Sequence, residues 1–345
     1  MQKSTITSYP KISYNYDNIA LTPLFINKLN DDYLPAPVMP ASAKKVFGDL
    51  RLPPLPENRV YTMASFVTSI DGKVAFPDDT AGPIVAKANA LDPDGAEADF
   101  WVLNLFRANA DIIIGGAGTL HEEPDGIACI FDQDLENERT AQGMPALPWV
   151  MICSLDGTDI PFHDTLFTNQ PFIIHTSPAG IEPVKQGIKT DHFIVGPYER
   201  VEDVLADKEQ ISAAFQDAFQ GPFHGSFQDP SQKPGDSWAP VIITGKGNTT
   251  NPGAALAVLK VMGFNRALVE SPSYCHVLMG EGLLDEITLN YSCVYIGGTA
   301  VGLGNGLTPY TAKKHPHTEM LSIHMHSPSF FYFRHKLRYL PPYGA

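Results

Sequence analysis

Apolar positions in this chain cluster in short runs, separated by segments long enough for a helix. The runs of strand length are 60–70, 111–114, 149–153, 171–175, 241–244, 266–269 and 287–296. Between the first two runs, Phe100, Leu103, Phe106 and Ala110 recur at helical spacing. Strands that alternate with helices are typical of an α/β fold, in which helices cover both faces of a mostly parallel sheet.

Local signals mark the ends of two helices in the second half of the chain. Asn251 is a good N-cap, Pro252 stands at the first helical position and Gly263 is placed to end the helix. A second helix is predicted over 273–282, after the strand at 266–269. Both fit the alternation of strands and helices.

The C-terminal segment has a different period, that of a β-strand. Leu321, Ile323 and Met325 alternate with polar residues, and Phe331 and Phe333 continue the alternation in the next run. We therefore expect an antiparallel hairpin to close the fold.

Composition divides the chain into an N-terminal extension and a main domain. Residues 1–58 are rich in Pro, Asn, Asp and Tyr and show no sustained period, so an irregular extension is predicted there. Residues 59–340 hold the predicted strands and helices. Within them, residues 205–238 are dense in Gly, Pro, Ser and Gln, which predicts a surface insertion.

Bulk composition excludes several classes of protein. The 345 residues are 43% hydrophobic and 18% charged, as in globular proteins, and the net charge of −14 argues against a nucleic-acid or anionic-membrane partner. The 4 cysteines form no CxxC pair, so neither a disulfide framework nor a zinc site is predicted. No apolar run reaches the roughly 18 residues of a membrane span, and the N-terminus lacks the apolar region of a secretory signal. A cytoplasmic protein is expected.

A glycine-rich loop, Gly115–Thr119, follows the strand at 111–114. Glycines let a backbone approach a phosphate closely, and a following helix would offer unpaired N–H groups to that phosphate. The spacing is neither GxGxxG nor that of a P-loop. An ordinary strand–helix turn therefore stays open as the alternative.

Several motifs together resemble the reductase domain of the bifunctional riboflavin-biosynthesis deaminase–reductase. These motifs are Ser69-Ile70-Asp71-Gly72-Lys73-Val74-Ala75, Ala110–Thr119, Leu268-Val269-Glu270 and Gly282–Leu289, followed by Gly297-Gly298 and the last strand around 332–339. The similarity covers about residues 59–340 in the same order. It implies a dihydrofolate-reductase-like three-layer fold, NADPH across the carboxyl ends of the strands, and a homodimer.

The resemblance also implies roles for particular residues. The expected cofactor-binding residues are Gly115, Gly116, Ala117, Gly118, Thr119, Ser154, Ser271, Pro272 and Ser273. The expected substrate-binding residues are Ser65, Ser69, Asp71 and Glu270. Asp71, Glu123 and Glu270 are the candidate catalytic groups, and hydride transfer from NADPH is the expected chemistry.

The chain departs from the family pattern at three points. It has Glu270-Ser271-Pro272-Ser273 where the family usually reads Glu-Gly-Gly-Pro, and Pro272 removes one backbone N–H. Ser65 stands where riboflavin-type members often carry a lysine. Glu123 stands where they carry an aspartate. The departures leave the fold assignment in place and bear on the substrate.

Each candidate has a structural alternative. Asp71 could cap a turn, Glu123 could be a solvated loop acid, and Lys73 could be a surface cation instead of a cofactor-phosphate ligand. Lys246 is a candidate for a 2′-phosphate. The pairs His315/His317 and His324/His326 have a spacing that metal sites use, but are better explained as polar hairpin positions, so no metal is predicted.

Three functions follow from these observations. The first is an NADPH-dependent reductase of a small heterocycle, similar to 5-amino-6-(5-phosphoribosylamino)uracil reductase. The second is a divergent relative that reduces another small molecule. The third is a nucleotide-binding protein that has lost turnover, which the Ser271-Pro272 change would favour. A deaminase is not expected, because the first 58 residues hold neither Cys nor His for its zinc site.

Overall fold

The computed structural model describes residues 9–126, 128–219, 238–304 and 306–341. Its strands are β1 (Thr22–Ile26), β2 (Leu34–Pro35), β3 (Arg51–Leu52), β4 (Tyr61–Thr68), β5 (Ile112–Gly116), β6 (Trp149–Cys153), β7 (Phe172–Thr176), β8 (His192–Tyr198), β9 (Ala239–Thr244), β10 (Arg266–Val269), β11 (Glu286–Ser292), β12 (His317–Ser327) and β13 (Phe330–Arg338). Its α-helices are α1 (Ala41–Phe47), α2 (Ile84–Lys87), α3 (Gly95–Ala108), α4 (Ala117–Glu122), α5 (Gln133–Ala141), α6 (Leu166–Asn169), α7 (Ile181–Gly187), α8 (Val201–Ala206), α9 (Lys208–Phe219), α10 (Pro252–Val261) and α11 (Pro272–Gly280). Short 3₁₀ helices lie at Lys28–Asp32 and Pro178–Gly180.

One sheet organises the domain, with the strand order β1-β12-β13-β11-β4-β10-β5-β6-β7-β9-β8. All neighbours from β11 to β8 are parallel. At the β11 end, β13, β12 and β1 extend the sheet in antiparallel fashion. The predicted α/β fold, with a mostly parallel sheet and a C-terminal antiparallel hairpin, is confirmed.

Helices bury both faces of the parallel strands, because alternate residues of a buried strand point to opposite faces. On one face, Trp101 and Leu105 of α3 share a core with Ile113. On the other face, Leu256 of α10 lies in a second core with Ile112. The result is three layers. No helix in the described ranges is both long and apolar enough to span a lipid bilayer.

The predicted end signals of α10 are confirmed. The Asn251 side chain accepts a hydrogen bond from the Ala254 N–H at 2.9 Å, and Pro252 is the first helical residue. Gly263 follows the helix with a φ of +100°, in the left-handed region that glycine adopts at low cost.

The N-terminal segment differs from the predicted irregular extension. Strand β1 pairs with β12, and α1 contributes Val46 and Phe47 to the core, together with Ile19 and Leu50 from the adjoining loops. These apolar residues follow neither a helical nor a strand period, so the pattern of the sequence did not predict their elements. Long-range contacts decide their structure.

The segment predicted as a surface insertion, 205–238, contains helix α9. Ile211 and Phe215 on this helix are buried, and the Phe215 ring lies 5.7 Å from that of Trp149 and 6.1 Å from that of Phe264. This part of the segment is therefore a core helix. Residues 220–237 lie outside the described residues.

Candidate active site

The glycine-rich loop and the Glu270–Ser273 loop meet at one edge of the sheet. Strands β5 and β10 are parallel neighbours, and the Glu270 N–H donates to the Ile114 carbonyl at 2.9 Å. A Cβ at Gly116 would lie 3.0 Å from the Ser271 Oγ. The two loops therefore touch at Gly116, where a side chain would push them apart.

Two helices begin at this contact. Helix α4 starts after Gly116 without a side-chain cap, so no capping side chain takes up the N–H groups of its first turn. Helix α11 starts at Pro272, whose missing N–H costs nothing at the first helical position. The Ser271 Oγ accepts a long hydrogen bond of 3.4 Å from the Tyr274 N–H. Adjacent helix starts of this kind suit an anionic group such as a phosphate.

Space is available beside the first of these helices. A Cβ at Gly118 would meet no atom within 4 Å, whereas a Cβ at Gly115 would contact Ile152 at 3.4 Å. The open surface at Gly118 would let a phosphate reach the α4 backbone. The residues predicted for the cofactor on β5 and β10 therefore lie together and fit a phosphate group.

Ser154 lies at the end of β6, the strand next to β5, but its hydroxyl is engaged within its own turn. It donates to the Asp159 carboxylate and accepts a hydrogen bond from the Gly157 N–H at 2.9 Å. Its side chain holds the turn after β6, so any contact with a cofactor there would fall to the backbone.

Glu270 is held by a buried arginine that the sequence did not point to. Arg107 of α3 donates to the Glu270 carboxylate through Nε at 2.8 Å and Nη2 at 2.7 Å, and its Nη1 donates to the Cys129 carbonyl at 3.3 Å. Burial by itself lowers the pKa of Arg107, but the charge and hydrogen bonds of Glu270 outweigh burial and raise that pKa. The pair is a fixed, charged feature of the site.

Asp71 and Ser69 face each other across the turn after β4. The Ser69 hydroxyl donates to Asp71 at 2.7 Å, and the Asp71 carboxylate also accepts the N–H groups of Ile296 at 3.2 Å and Gly297 at 2.8 Å. The Ser69 bond is the largest cause that lowers the pKa of Asp71, with the two backbone bonds adding to it. Asp71 is thus a carboxylate that ties this turn to the loop after β11, and Lys73 pairs with Gly302 beside it.

The remaining predicted residues fall in different places. Ser65 is buried on β4, and its hydroxyl has no hydrogen-bond partner among the described residues. Glu123 is exposed at the end of α4 and accepts the Gly82 N–H at 3.0 Å. Lys246 is exposed after β9, three strands from β5, which is about 14 Å at the usual strand spacing. Of these three, Ser65 offers an unused polar atom to the site.

The histidines form no metal centre in the part of the chain that the structure describes. The rings of His315 and His317 lie 4.7 Å apart, but no group of three or more potential ligands comes together there. His175, at the end of β7, is buried and bonds Thr244 at 2.8 Å. Burial lowers the pKa of His175 to about 4, so this imidazole is neutral at pH 7.

No protein-family model and no curated protein matches the sequence. Among solved structures, a pyrimidine reductase-like protein from Corynebacterium diphtheriae is 18% identical, with a TM-score of 0.52 over 86% of this chain and 98% of that one. RibD from Acinetobacter baumannii is 14% identical, with a TM-score of 0.50 over 81% of this chain and 58% of that one. The chain therefore spans little more than half the length of the Acinetobacter protein.

These likenesses establish the fold. The chain is a three-layer α/β protein built like the pyrimidine reductase-like protein of C. diphtheriae, with paired helix starts and a buried ion pair at the carboxyl edge of its sheet.

Proposed function

We propose that this protein is an NADPH-dependent reductase of a small nitrogen heterocycle, similar to 5-amino-6-(5-phosphoribosylamino)uracil reductase of riboflavin biosynthesis. One observation carries the proposal: two loops, each opening a helix at neighbouring strand ends, abut at Gly116 and Ser271 beside the Arg107–Glu270 pair. Open sheets of this kind bind ligands outside the carboxyl ends of their strands. The name of the C. diphtheriae relative, a pyrimidine reductase-like protein, supports the same class of substrate.

Backbone groups would hold the cofactor. The N–H groups of Ala117, Gly118 and Thr119 in the first turn of α4, and that of Ser273 in α11, would bind its phosphates. Pro272 contributes no N–H, so the second loop has one donor fewer than a loop without proline. When bound, NADPH supplies the hydride, and the protein supplies position and charge.

Glu270 and Ser65 would contact the substrate. Val269 pairs with Ala64 in the parallel register, so Glu270, the first residue after β10, lies beside Ser65, which is still within β4. Ser65 Oγ can bond a polar atom of the heterocycle, and the Arg107-bound carboxylate keeps a fixed orientation beside it. Asp71 and Glu123 act as positioning residues, because their carboxylates hold the loops at Gly297 and Gly82.

The test is a titration of the purified full chain with NADPH and, separately, NADH, followed by nicotinamide fluorescence. NADPH oxidation is then measured with 5-amino-6-(5-phosphoribosylamino)uracil as substrate. Tight NADPH binding and turnover would support the proposal. Cofactor binding without turnover of this or related heterocycles would favour the alternative of a nucleotide-binding protein that has lost turnover. No binding of either cofactor would reject the proposal.

We also infer a homodimer that forms through the antiparallel end of the sheet. One face of β1, β11, β12 and β13 carries apolar side chains that the structure leaves partly or fully exposed: Phe25, Tyr291, Ile323, Met325, Phe331 and Phe333. Register pairs Phe333 with Ile323 and Phe331 with Met325, so these side chains share that face. A contiguous apolar patch of this kind marks an interaction surface, and a second copy of the chain would bury it.

A further inference from the structure

A second carboxylate faces the sheet from α3, two turns before Arg107. Asp99 accepts a hydrogen bond of 2.7 Å from the Asn290 Nδ2 on β11, a residue 191 positions away in the sequence. Asp99 is half-buried, whereas Asn290 is 2% exposed. Neither residue belongs to the loops that would hold the cofactor.

Asp99 and Arg107 lie at the two ends of one line of α3 residues that faces the sheet. Residues 99, 103 and 107 are spaced at four-residue intervals, so they form one line along α3, with about 12 Å of helix axis between its ends. The sheet face opposite this line carries Ser65 and Val67 of β4 and, in register with Val67, Asn290 of β11. We call this region the α3–sheet contact. It comprises Ser65, Val67, Asp99, Leu103, Arg107 and Asn290.

The α3–sheet contact holds buried polar atoms that lack a partner among the described residues. They are the Oδ1 of Asn290, the Oγ of Ser65 and the hydroxyl of Tyr332. Tyr332 of β13 stands opposite Asn290 of β11 in the antiparallel register. A buried polar atom without a hydrogen bond is costly, and native structures rarely leave one without a reason. The unused Oδ1 beside the Asp99 carboxyl therefore points to a ligand that supplies its hydrogen bonds.

Asp99 can change its protonation state near neutral pH. Burial raises the pKa of Asp99 to about 7, and the Asn290 hydrogen bond opposes that rise. Arg107 lies two turns further along α3. Tyr332 of β13 faces the same region and stays neutral, because burial and the nearby Asp99 and Asp92 charges raise its pKa well above the usual value. As a carboxylic acid, Asp99 can donate one hydrogen bond and accept another.

We propose that Asp99 and Asn290 recognise the cyclic amide edge of the substrate, in which a ring N–H stands beside a ring carbonyl. The Asp99 acid donates to the carbonyl oxygen, and the Asn290 Oδ1 accepts the N–H. This assignment rests on the proposed reductase function and names the substrate class: a lactam-type heterocycle such as a pyrimidinedione. A substrate with a cationic amidine edge would instead need Asp99 as a carboxylate, so its affinity would increase as the pH rises.

The test uses calorimetric titration of the full-length protein with 6-ribitylaminouracil at pH 6, 7 and 8. Since only the acid form of Asp99 donates, the wild-type Kd should rise about tenfold between pH 6 and pH 8. Asp99→Asn keeps a donor at every pH, so its Kd should stay within about threefold of the wild-type pH 6 value and show no pH dependence. Asp99→Ser, which shortens the side chain, should weaken binding at least about tenfold at pH 6.

Asp94→Asn, at an exposed position on the N-cap of the same helix, is the matched control and should keep the wild-type profile. The inference fails if Asp99→Asn retains the wild-type pH dependence, if affinity increases with pH, or if the wild type does not bind the probe at pH 6. A parallel NADPH titration by nicotinamide fluorescence separates the two claims. Intact NADPH binding with any of those failures removes the role of Asp99 alone, whereas loss of NADPH binding by the wild type removes the proposed function.

Discussion

Glu270 accepts both of its side-chain hydrogen bonds from a single guanidinium, that of Arg107, at 2.8 and 2.7 Å. The two side chains are 10% and 18% exposed, so the pair is largely withdrawn from water. The Arg107 charge is compensated by Glu270, 163 positions away in the sequence. Folding therefore fixes the orientation of the carboxylate at the carboxyl edge of the sheet.

Replacing Glu270 should affect stability as well as activity. Glu270→Gln leaves the Arg107 charge buried without its counter-ion, so we expect the free energy of unfolding to fall by about 3 kcal/mol, together with a loss of turnover. Urea denaturation and NADPH oxidation measure the two effects. Glu182→Gln breaks the exposed Lys185–Glu182 pair and serves as control, with no measurable change expected in either property. Full activity in Glu270→Gln would remove Glu270 from the site.

Gly118→Val should weaken cofactor binding and leave the fold intact. The added side chain meets no protein atom within 4 Å, but it would occupy the space through which a phosphate approaches α4. We expect NADPH affinity to drop at least about tenfold while the melting temperature stays unchanged. Ala213→Val on the exposed side of α9 is the matched control. Unaltered NADPH affinity in Gly118→Val would exclude this loop as the phosphate site.

His175 should make the protein less stable in mild acid. The folded state does not protonate His175 until about pH 4, whereas the unfolded chain does so near pH 6.5. Between these values the unfolded state binds more protons, so the free energy of unfolding falls as the pH falls. From pH 7 to pH 5 this residue should remove about 1–2 kcal/mol.

Urea denaturation at pH 7, 6 and 5 measures this slope. His175→Gln should reduce it, and His121→Gln, at an exposed position, should not. An unchanged slope in His175→Gln would show that His175 is protonated alike in the folded and unfolded states.

Phe333→Lys tests the dimer. The Phe333 ring packs edge-on against Tyr291 with centroids 4.9 Å apart, in the middle of the apolar face of the antiparallel strands. A charge there should prevent burial against a second copy and give a monomer by light scattering. Leu91→Lys, at a position that is 81% exposed and away from that face, should keep the wild-type mass. A wild-type monomer, or a dimeric Phe333→Lys variant, would exclude this surface as the interface.

Sequence reasoning succeeded where the signals are local. The strands around Ile113 and Leu268 are continuous apolar runs, and Asn251 and Pro252 mark a helix start with their own side chains. It missed Arg107 and Asp99, although both lie in line with Leu103 on α3, because a charge among apolar helical positions does not identify its partner. Those partners, Glu270 and Asn290, lie more than a hundred residues further on.

The sequence predicted which loops stand at the strand ends, but it did not predict which hydrogen bonds each hydroxyl and carboxylate makes. Ser69, Asp71 and Ser154 stand at strand ends, where family resemblance would place ligand contacts, yet their side chains bond nearby loop groups. Only the folded geometry shows which polar atoms are already used. Ser65 is the converse case, since its unused hydroxyl became visible once its strand was seen to be buried.

The pairing of β1 with β12 sets an order for the synthesis of this protein. The Asn27 side chain bonds the Met320 carbonyl, 293 positions later in the chain. At roughly 5 to 20 residues per second, ribosomes would complete that partner roughly 15 to 60 s after Asn27 is made. Throughout that interval Leu24, Phe25 and Ile26 have no strand to pair with, so β1 is made before most of the sheet but can complete its pairing only among the last strands.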